Sequence, residues 1–211
     1  YPDVTPPPCF SYETTGIKTI FSDRRDPNYR SRKVFSFHRP EHLHDLLKSE
    51  KTLRANLTNL PTLVPSTLRK CQIDAIVGLE NSFSKNKPRA LIQMATGTGK
   101  TFAAITSVYR LLKFAKAKRV LFLVDRNNLG TQALKEFQKY VTPDTGEKFK
   151  DLYEIQHLQS HTVEDVDVVI TTIQRLYSML KGEKEFDHTA DEQSQFENSD
   201  NEDEEEVVYN K

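Results

Sequence analysis

The run Ala95-Thr96-Gly97-Thr98-Gly99-Lys100-Thr101 constrains this chain more than any other stretch. It stands between a short apolar run, Ala90-Leu91-Ile92-Gln93-Met94, and a segment in which Phe102, Ile105, Val108, Tyr109 and Leu112 recur at helical spacing. A glycine-rich turn between a strand and a helix lets backbone N–H groups surround phosphate oxygens, and the helix presents its positive end to them. There the Lys100 ammonium is expected to reach the β- and γ-phosphates of a nucleoside triphosphate. The Thr101 hydroxyl is expected to ligate Mg²⁺. Thr96, Gly97, Thr98 and Gly99 form the cradle itself. The full phosphate-loop pattern has a further glycine where this chain has Met94. A fortuitous turn is the bland alternative, and Gly-Lys-Thr in this context argues against it.

The surrounding segments alternate helix and strand patterns. Ser66 is placed to cap a helix carrying Leu68, Cys71, Ala75, Ile76, Leu79 and Phe83, which ends near Asn86-Lys87-Pro88. Val120-Leu121-Phe122-Leu123-Val124 is a continuous apolar run, as expected of a strand buried on both faces. A helix around Gln132–Tyr140, a weak strand near Leu152–Ile155, a strong strand at Val168-Val169-Ile170 and a helix from about Ile173 to Leu180 follow. Such alternation predicts an α/β fold, a parallel sheet covered by helices. Three regions emerge: 1–65, Pro- and Arg-rich, expected to be a connector with little regular structure apart from a short helix starting at Pro40; 66–181, the α/β body; and 182–211, acidic and expected to be weakly ordered.

A formal net charge of zero conceals an asymmetry. Residues 182–211 hold 12 acidic residues and two lysines, a net of −10, which leaves 1–181 at +10. A basic body suits a polyanionic partner, although solvated surface lysine explains it equally. Between Lys18 and Arg39 there are seven basic and two acidic residues, with Phe21, Tyr29, Phe35 and Phe37 interleaved. That stretch is expected either to touch nucleic acid or to dock on the body, and the alternation of Phe35 and Phe37 favours docking. Two cysteines, Cys9 and Cys71, cannot build a disulfide framework or a four-cysteine zinc site, so a reducing, cytoplasmic setting is expected. No run of the sequence approaches membrane-span length, and no membrane association is expected.

Gln72 lies 28 residues before Lys100, in the phrase Leu68-Arg69-Lys70-Cys71-Gln72-Ile73-Asp74-Ala75-Ile76. A glutamine amide offers one donor and one acceptor face, matching N6 and N7 of adenine. A surface glutamine is the plain alternative. ATP is preferred over GTP because Asn86-Lys87 continues as Pro88-Arg89 rather than completing a guanine-recognition motif.

Met94–Thr101, the phrase Phe122-Leu123-Val124-Asp125-Arg126-Asn127-Asn128-Leu129 ending in Gln132, and Val169-Ile170-Thr171-Thr172-Ile173-Gln174-Arg175 resemble successive motifs of superfamily 2 helicases. Together with Tyr29-Arg30-Ser31-Arg32-Lys33-Val34-Phe35-Ser36-Phe37-His38-Arg39-Pro40, they resemble the R subunit of type I restriction-modification enzymes over roughly residues 10–181. The resemblance implies a RecA-like first motor lobe. It implies that Gln72 reads adenine, and that Arg126, Thr172 and Gln174 meet the DNA backbone. It further implies ATP and Mg²⁺ as cofactors, and as partners DNA with methyltransferase and specificity subunits. The plain alternatives are a salt bridge for Arg126 and a helix cap for Thr172. Asp191-Glu192 and Asp203–Glu206 have no apolar strand before them and are not expected to be the Mg²⁺-holding acidic motif of such motors. No Asp-x-Lys or Glu-x-Lys occurs, so nuclease residues are not expected in this chain, which reads as a piece of a larger ATP-dependent type I site-specific deoxyribonuclease. Another superfamily 2 motor, such as a type III restriction subunit or a repair helicase, and a non-catalytic nucleotide-binding module stay open as alternatives.

Overall fold

The computed structural model describes residues 8–182, except Ser66, Pro88 and His161. The acidic segment beyond 182 and the capping role expected of Ser66 lie outside the described residues. The described chain forms two compact units. Among the described residues the first comprises 8–103 and 110–117, the second 104–109 and 118–182.

The first unit opens with regular structure where only a connector was expected. β1 (Phe10–Thr14), β2 (Thr19–Asp23) and β3 (Arg32–Val34) form an antiparallel sheet in that order. Phe10 and Tyr12 of β1 pack their rings on Phe21 of β2, at 5.6 and 4.9 Å between centroids. Phe10 and Tyr12, at alternate positions of β1, therefore share one face with Phe21, which stands opposite Tyr12 on β2. Asp26, buried after β2, takes ion pairs from Arg32 and Arg54, and Asp23 takes one from Arg25 at 2.8 Å. Much of the basic character of this region is thus spent internally.

α1 (Pro40–Lys48) starts on its proline as expected, since the ring occupies a position whose N–H has no helical acceptor. α2 (Leu53–Leu57) was not legible and is capped by Thr52, whose side chain accepts from Ala55 N. α3 (Lys70–Ser84) begins later than the sequence pattern implied, with Arg69 at the N-cap. The expected strand Ala90–Met94 does not form. Its residues join no ladder and Leu91 is 93% exposed, because a strand exists only through hydrogen bonds to neighbours and none of the described strands pairs with it. α4 (Lys100–Lys113) follows the glycine-rich turn directly.

The second unit is a parallel three-stranded sheet with helices in alternation, the mixed α/β arrangement of a RecA-like helicase domain. β4 (Val120–Val124) leads into α5 (Asn127–Lys139). α6 (Phe149–Leu152) precedes β5 (Ile155–His157), and β6 (Val168–Thr172) leads directly into α7 (Ile173–Lys181). The strand order is β4-β6-β5. β6 is central and buried along its whole length, whereas β4 is an edge strand with Leu121 and Leu123 about half exposed. The expectation that 120–124 is buried on both faces therefore holds for β6 instead, because position in the sheet, not apolarity, decides cover. Phe137 and Phe149 are fully buried, 5.1 Å apart, with Phe122, Tyr109 and Tyr140 around them. Tyr140 keeps its hydroxyl satisfied by donating to Thr106 Oγ1 at 3.1 Å. α7 is inverted: Gln174, Arg175 and Ser178 are buried while Ile173, Tyr177 and Leu180 face outward.

In the first unit the Arg110 guanidinium is only 5% exposed, donating to Glu80 Oε2 at 3.1 Å and also to the Pro61 carbonyl. Removing one partner strands a buried charge, which costs roughly 3–5 kcal/mol. Glu80→Ala is expected to lower the melting temperature sharply, and the double variant Arg110→Met/Glu80→Met to recover most of the loss; thermal unfolding followed by circular dichroism checks both.

Candidate nucleotide and nucleic-acid sites

The glycine-rich turn is shaped by two backbone positions only glycine adopts freely. Gly97 has φ +75° and Gly99 φ +81°, both left-handed. Thr98 N and Thr98 Oγ1 both donate to Ala95 O, at 3.4 and 2.6 Å, which closes the turn on itself. Gly99 is the N-cap of α4, so the amides of the first helical turn, which have no intrahelical acceptors, open into the concave side of the turn. Lys100 Nζ lies over the turn, 3.5 Å from both Met94 O and Ala95 O. Thr101 follows it in the first turn of α4.

Gln72 holds this turn from behind. It is 4% exposed, its Oε1 accepts from Arg69 N at 2.9 Å, and its Nε2 donates to Thr98 O at 3.0 Å and Gly99 O at 3.3 Å. One side chain thereby caps the start of α3 and ties it to the turn. Arg69 adds a second tie, donating to Gly97 O at 3.1 Å. A Cβ on Gly99 would lie 2.3 Å from Gln72 Nε2, so the glycine is needed for close approach as well as for its φ. The structure thus brings Gln72, Thr96, Gly97, Thr98, Gly99, Lys100 and Thr101 into one neighbourhood. In this arrangement both faces of the Gln72 amide are engaged by protein backbone, a role that a reading of adenine recognition alone did not foresee. The signal was present, since glutamine at the third position of a helix is a known reciprocal cap.

The residues fit a Mg²⁺-nucleotide. The turn is exposed, carries positive-φ glycines, ends in a helix N-terminus and places a lysine over its mouth. Among the described residues no group of three or more His, Cys, Asp or Glu side chains is placed to hold a metal. A Mg²⁺ here would take the Thr101 hydroxyl and otherwise phosphate oxygens and water, the habit of this ion at nucleotide sites.

In the second unit, β4 and β6 run in parallel with Val124 opposite Thr172, so Arg126, Thr172 and Gln174 gather at the carboxyl ends of neighbouring strands. Ligands of open α/β sheets bind at that end. Arg126 is the N-cap of α5, its side chain 31% exposed and 3.6 Å from Asp125. Thr172 is 1% exposed and accepts from Arg175 N at 3.2 Å, capping α7. Gln174 is 9% exposed. Of the three residues expected to meet DNA, Arg126 is the one with substantial exposure. Thr172 takes the capping role that its place at a helix start permits. Sequence reasoning passed over Arg175, which is buried and donates to Gln159 O at 2.7 Å, because arginine within an apolar-periodic helix reads as surface.

Residues 65–208 match the family described as the type III restriction enzyme, res subunit. The chain belongs to this family. Among curated proteins it is similar to the type I restriction enzyme EcoKI endonuclease subunit of Escherichia coli K12, 36% identical over 179 residues, which is 79% of this chain and 15% of that protein. The type I restriction enzyme EcoAI endonuclease subunit of Escherichia coli is 41% identical over 41% of the chain and 11% of its own length. A type I restriction enzyme endonuclease subunit of Staphylococcus aureus, SauCOLORF180P, is 24% identical over 77% of the chain and 17% of its length. The chain therefore spans less than a fifth of the relatives it matches. No solved structure matches it. The resemblance to type I R subunits and to a helicase-like domain stands on these relatives and on the parallel sheet. No helix among the described residues is long and apolar enough to cross a membrane.

Gly99→Ala is expected to destabilise the chain by about 1–2 kcal/mol from its left-handed φ alone, with a further loss from the collision with Gln72. Gln72→Ala leaves Arg69 N without its side-chain acceptor and is expected to cost about 1–3 kcal/mol. The double variant should lose less than the sum, since the collision vanishes. Melting curves of the three variants measure that coupling, and strict additivity would count against the contact.

Proposed function

We propose that this chain is the nucleotide-binding part of an ATP-driven DNA-translocating motor in a restriction endonuclease of the type I kind. The observation that carries the proposal is the turn itself: two left-handed glycines held against Gln72, opening onto the start of α4, with Lys100 over the mouth. In this reading the turn's amides and Lys100 bind the β- and γ-phosphates of ATP, and Thr101 takes part in holding Mg²⁺. Bound nucleotide would supply the phosphoanhydride bond whose cleavage drives movement. Gln72 reads adenine only by exchanging one of its backbone contacts, so base recognition and the shape of the turn are coupled. Arg126, partly exposed at the carboxyl end of the parallel sheet, meets the DNA backbone. Thr172 and Gln174 support that end from beneath, and a direct phosphate contact by either needs the start of α7 to open. Phosphate contacts give register without sequence preference. The restriction site is accordingly read elsewhere, by specificity and methyltransferase subunits acting as partners, and we assign DNA cleavage to no residue of this chain.

Lys100→Ala removes the cation over the turn while leaving its backbone intact. ATP affinity is expected to fall at least tenfold, about 1.4 kcal/mol, as read by titration calorimetry; unchanged affinity in a folded variant would sink the phosphate-loop assignment. Arg126→Ala is expected to weaken DNA binding equally on unrelated sequences and to flatten the salt dependence by about one phosphate contact, a slope change of roughly 0.7–0.9. Titrating labelled DNA at three salt concentrations tests it, and a sequence-dependent loss contradicts the role.

A further inference from the structure

The segment after β3 leaves its aromatic side chains bare. Phe35 is fully exposed and Phe37 is 57% exposed. Phe37 rests on Tyr12 at 5.0 Å, and His38 lies over Phe21 at 4.6 Å and stacks on His42 at 5.2 Å with 22° between ring planes. Tyr12 Oη and His38 Nδ1 share a hydrogen bond, which anchors the segment to β1. Val34, Phe35, Ser36, Phe37, His38, Arg39 and His42 line an open cleft of about 460 Å³. Burial, followed by the nearby His42, lowers the His38 pKa, which favours a neutral ring.

Charge identifies the occupant. From Asn28 to Arg39 there are four cationic residues and no acidic one. Arg32 is engaged by Asp26 and Arg30 by the Asn86 carbonyl. Lys33 and Arg39 are exposed, and they bracket Phe35 and Phe37 along the chain. Protein interfaces are depleted in lysine at their cores, whereas aromatic faces interleaved with cations are the usual platform for unpaired bases. A duplex buries its base faces and offers such rings nothing to stack on.

We propose that this cleft binds single-stranded DNA, with Phe35 and Phe37 stacking on unpaired bases and Lys33 and Arg39 meeting the adjoining phosphates. The site lies in the antiparallel-sheet region and does not depend on Arg126. DNA as the polymer rests on the motor reading above; stacking on single strands does not.

The full chain is titrated with a labelled oligothymidylate of about 12 nucleotides, within common single-strand site sizes, and with the matching duplex and oligouridylate. Tighter binding of the single strand than of the duplex is expected. Phe35→Ala/Phe37→Ala should weaken single-strand binding at least fivefold with an unchanged salt slope. Lys33→Gln/Arg39→Gln should weaken it and flatten the slope. Photocrosslinking of an iodouracil-substituted oligonucleotide is expected to mark 35–37, and to persist in Arg126→Ala, which separates this site from the proposed backbone contact. Oligouridylate binding equal to oligothymidylate would support stacking and sink only the motor-based choice of DNA. The proposal is overturned by undiminished affinity in folded Phe35→Ala/Phe37→Ala, by preference for duplex, or by sedimentation showing that the aromatic variant instead abolishes self-association.

Discussion

The glycine-rich turn depends on one primary amide. Gln72 uses its acceptor to cap the start of α3 and its donor to hold Thr98 and Gly99 carbonyls, so the helix start and the turn cannot shift independently. Because a buried amide left without partners is costly, this arrangement is self-reinforcing: loosening the turn also uncaps the helix. The requirement for glycine at 99 follows, from φ and from the 2.3 Å approach a Cβ would make. In the proposed nucleotide-binding reading, a ligand that draws a Gln72 group away would alter the turn proposed to hold its phosphates.

The parallel sheet rests on a different principle. β6 is buried on both faces and flanked by β4 and β5, and its end passes without a loop into α7, capped by Thr172. The carboxyl end of the sheet is thus built on a buried β6, with Arg126 at the start of α5, just past the end of β4. α7 then carries its polar residues inward and leaves Ile173, Tyr177 and Leu180 outside, the reverse of a helix on an apolar core.

The N-terminal region shows how composition misleads. Its prolines and arginines read as a connector, yet Phe10, Tyr12 and Phe21 build a sheet face and the carboxylates of Asp23 and Asp26 absorb three of the arginines. Among what remains exposed, Phe35 and Phe37 between Lys33 and Arg39 form a chemically more specific grouping than the overall charge suggested.

By itself the sequence determined the glycine-rich turn at the start of α4, the alternation of helices and strands after it, the start of α1 at Pro40 and the family resemblance. All of these are local in the chain: glycine conformations, proline at a first helical turn and apolar periodicity need no distant partner. Only the tertiary structure decided which strand is covered, that 90–94 joins no ladder, that Thr172 is a buried cap and Arg126 a partly exposed cation, and that Gln72 is occupied by backbone. Those outcomes depend on neighbours remote in sequence, because burial and hydrogen-bond satisfaction are properties of what a residue meets rather than of the residue alone.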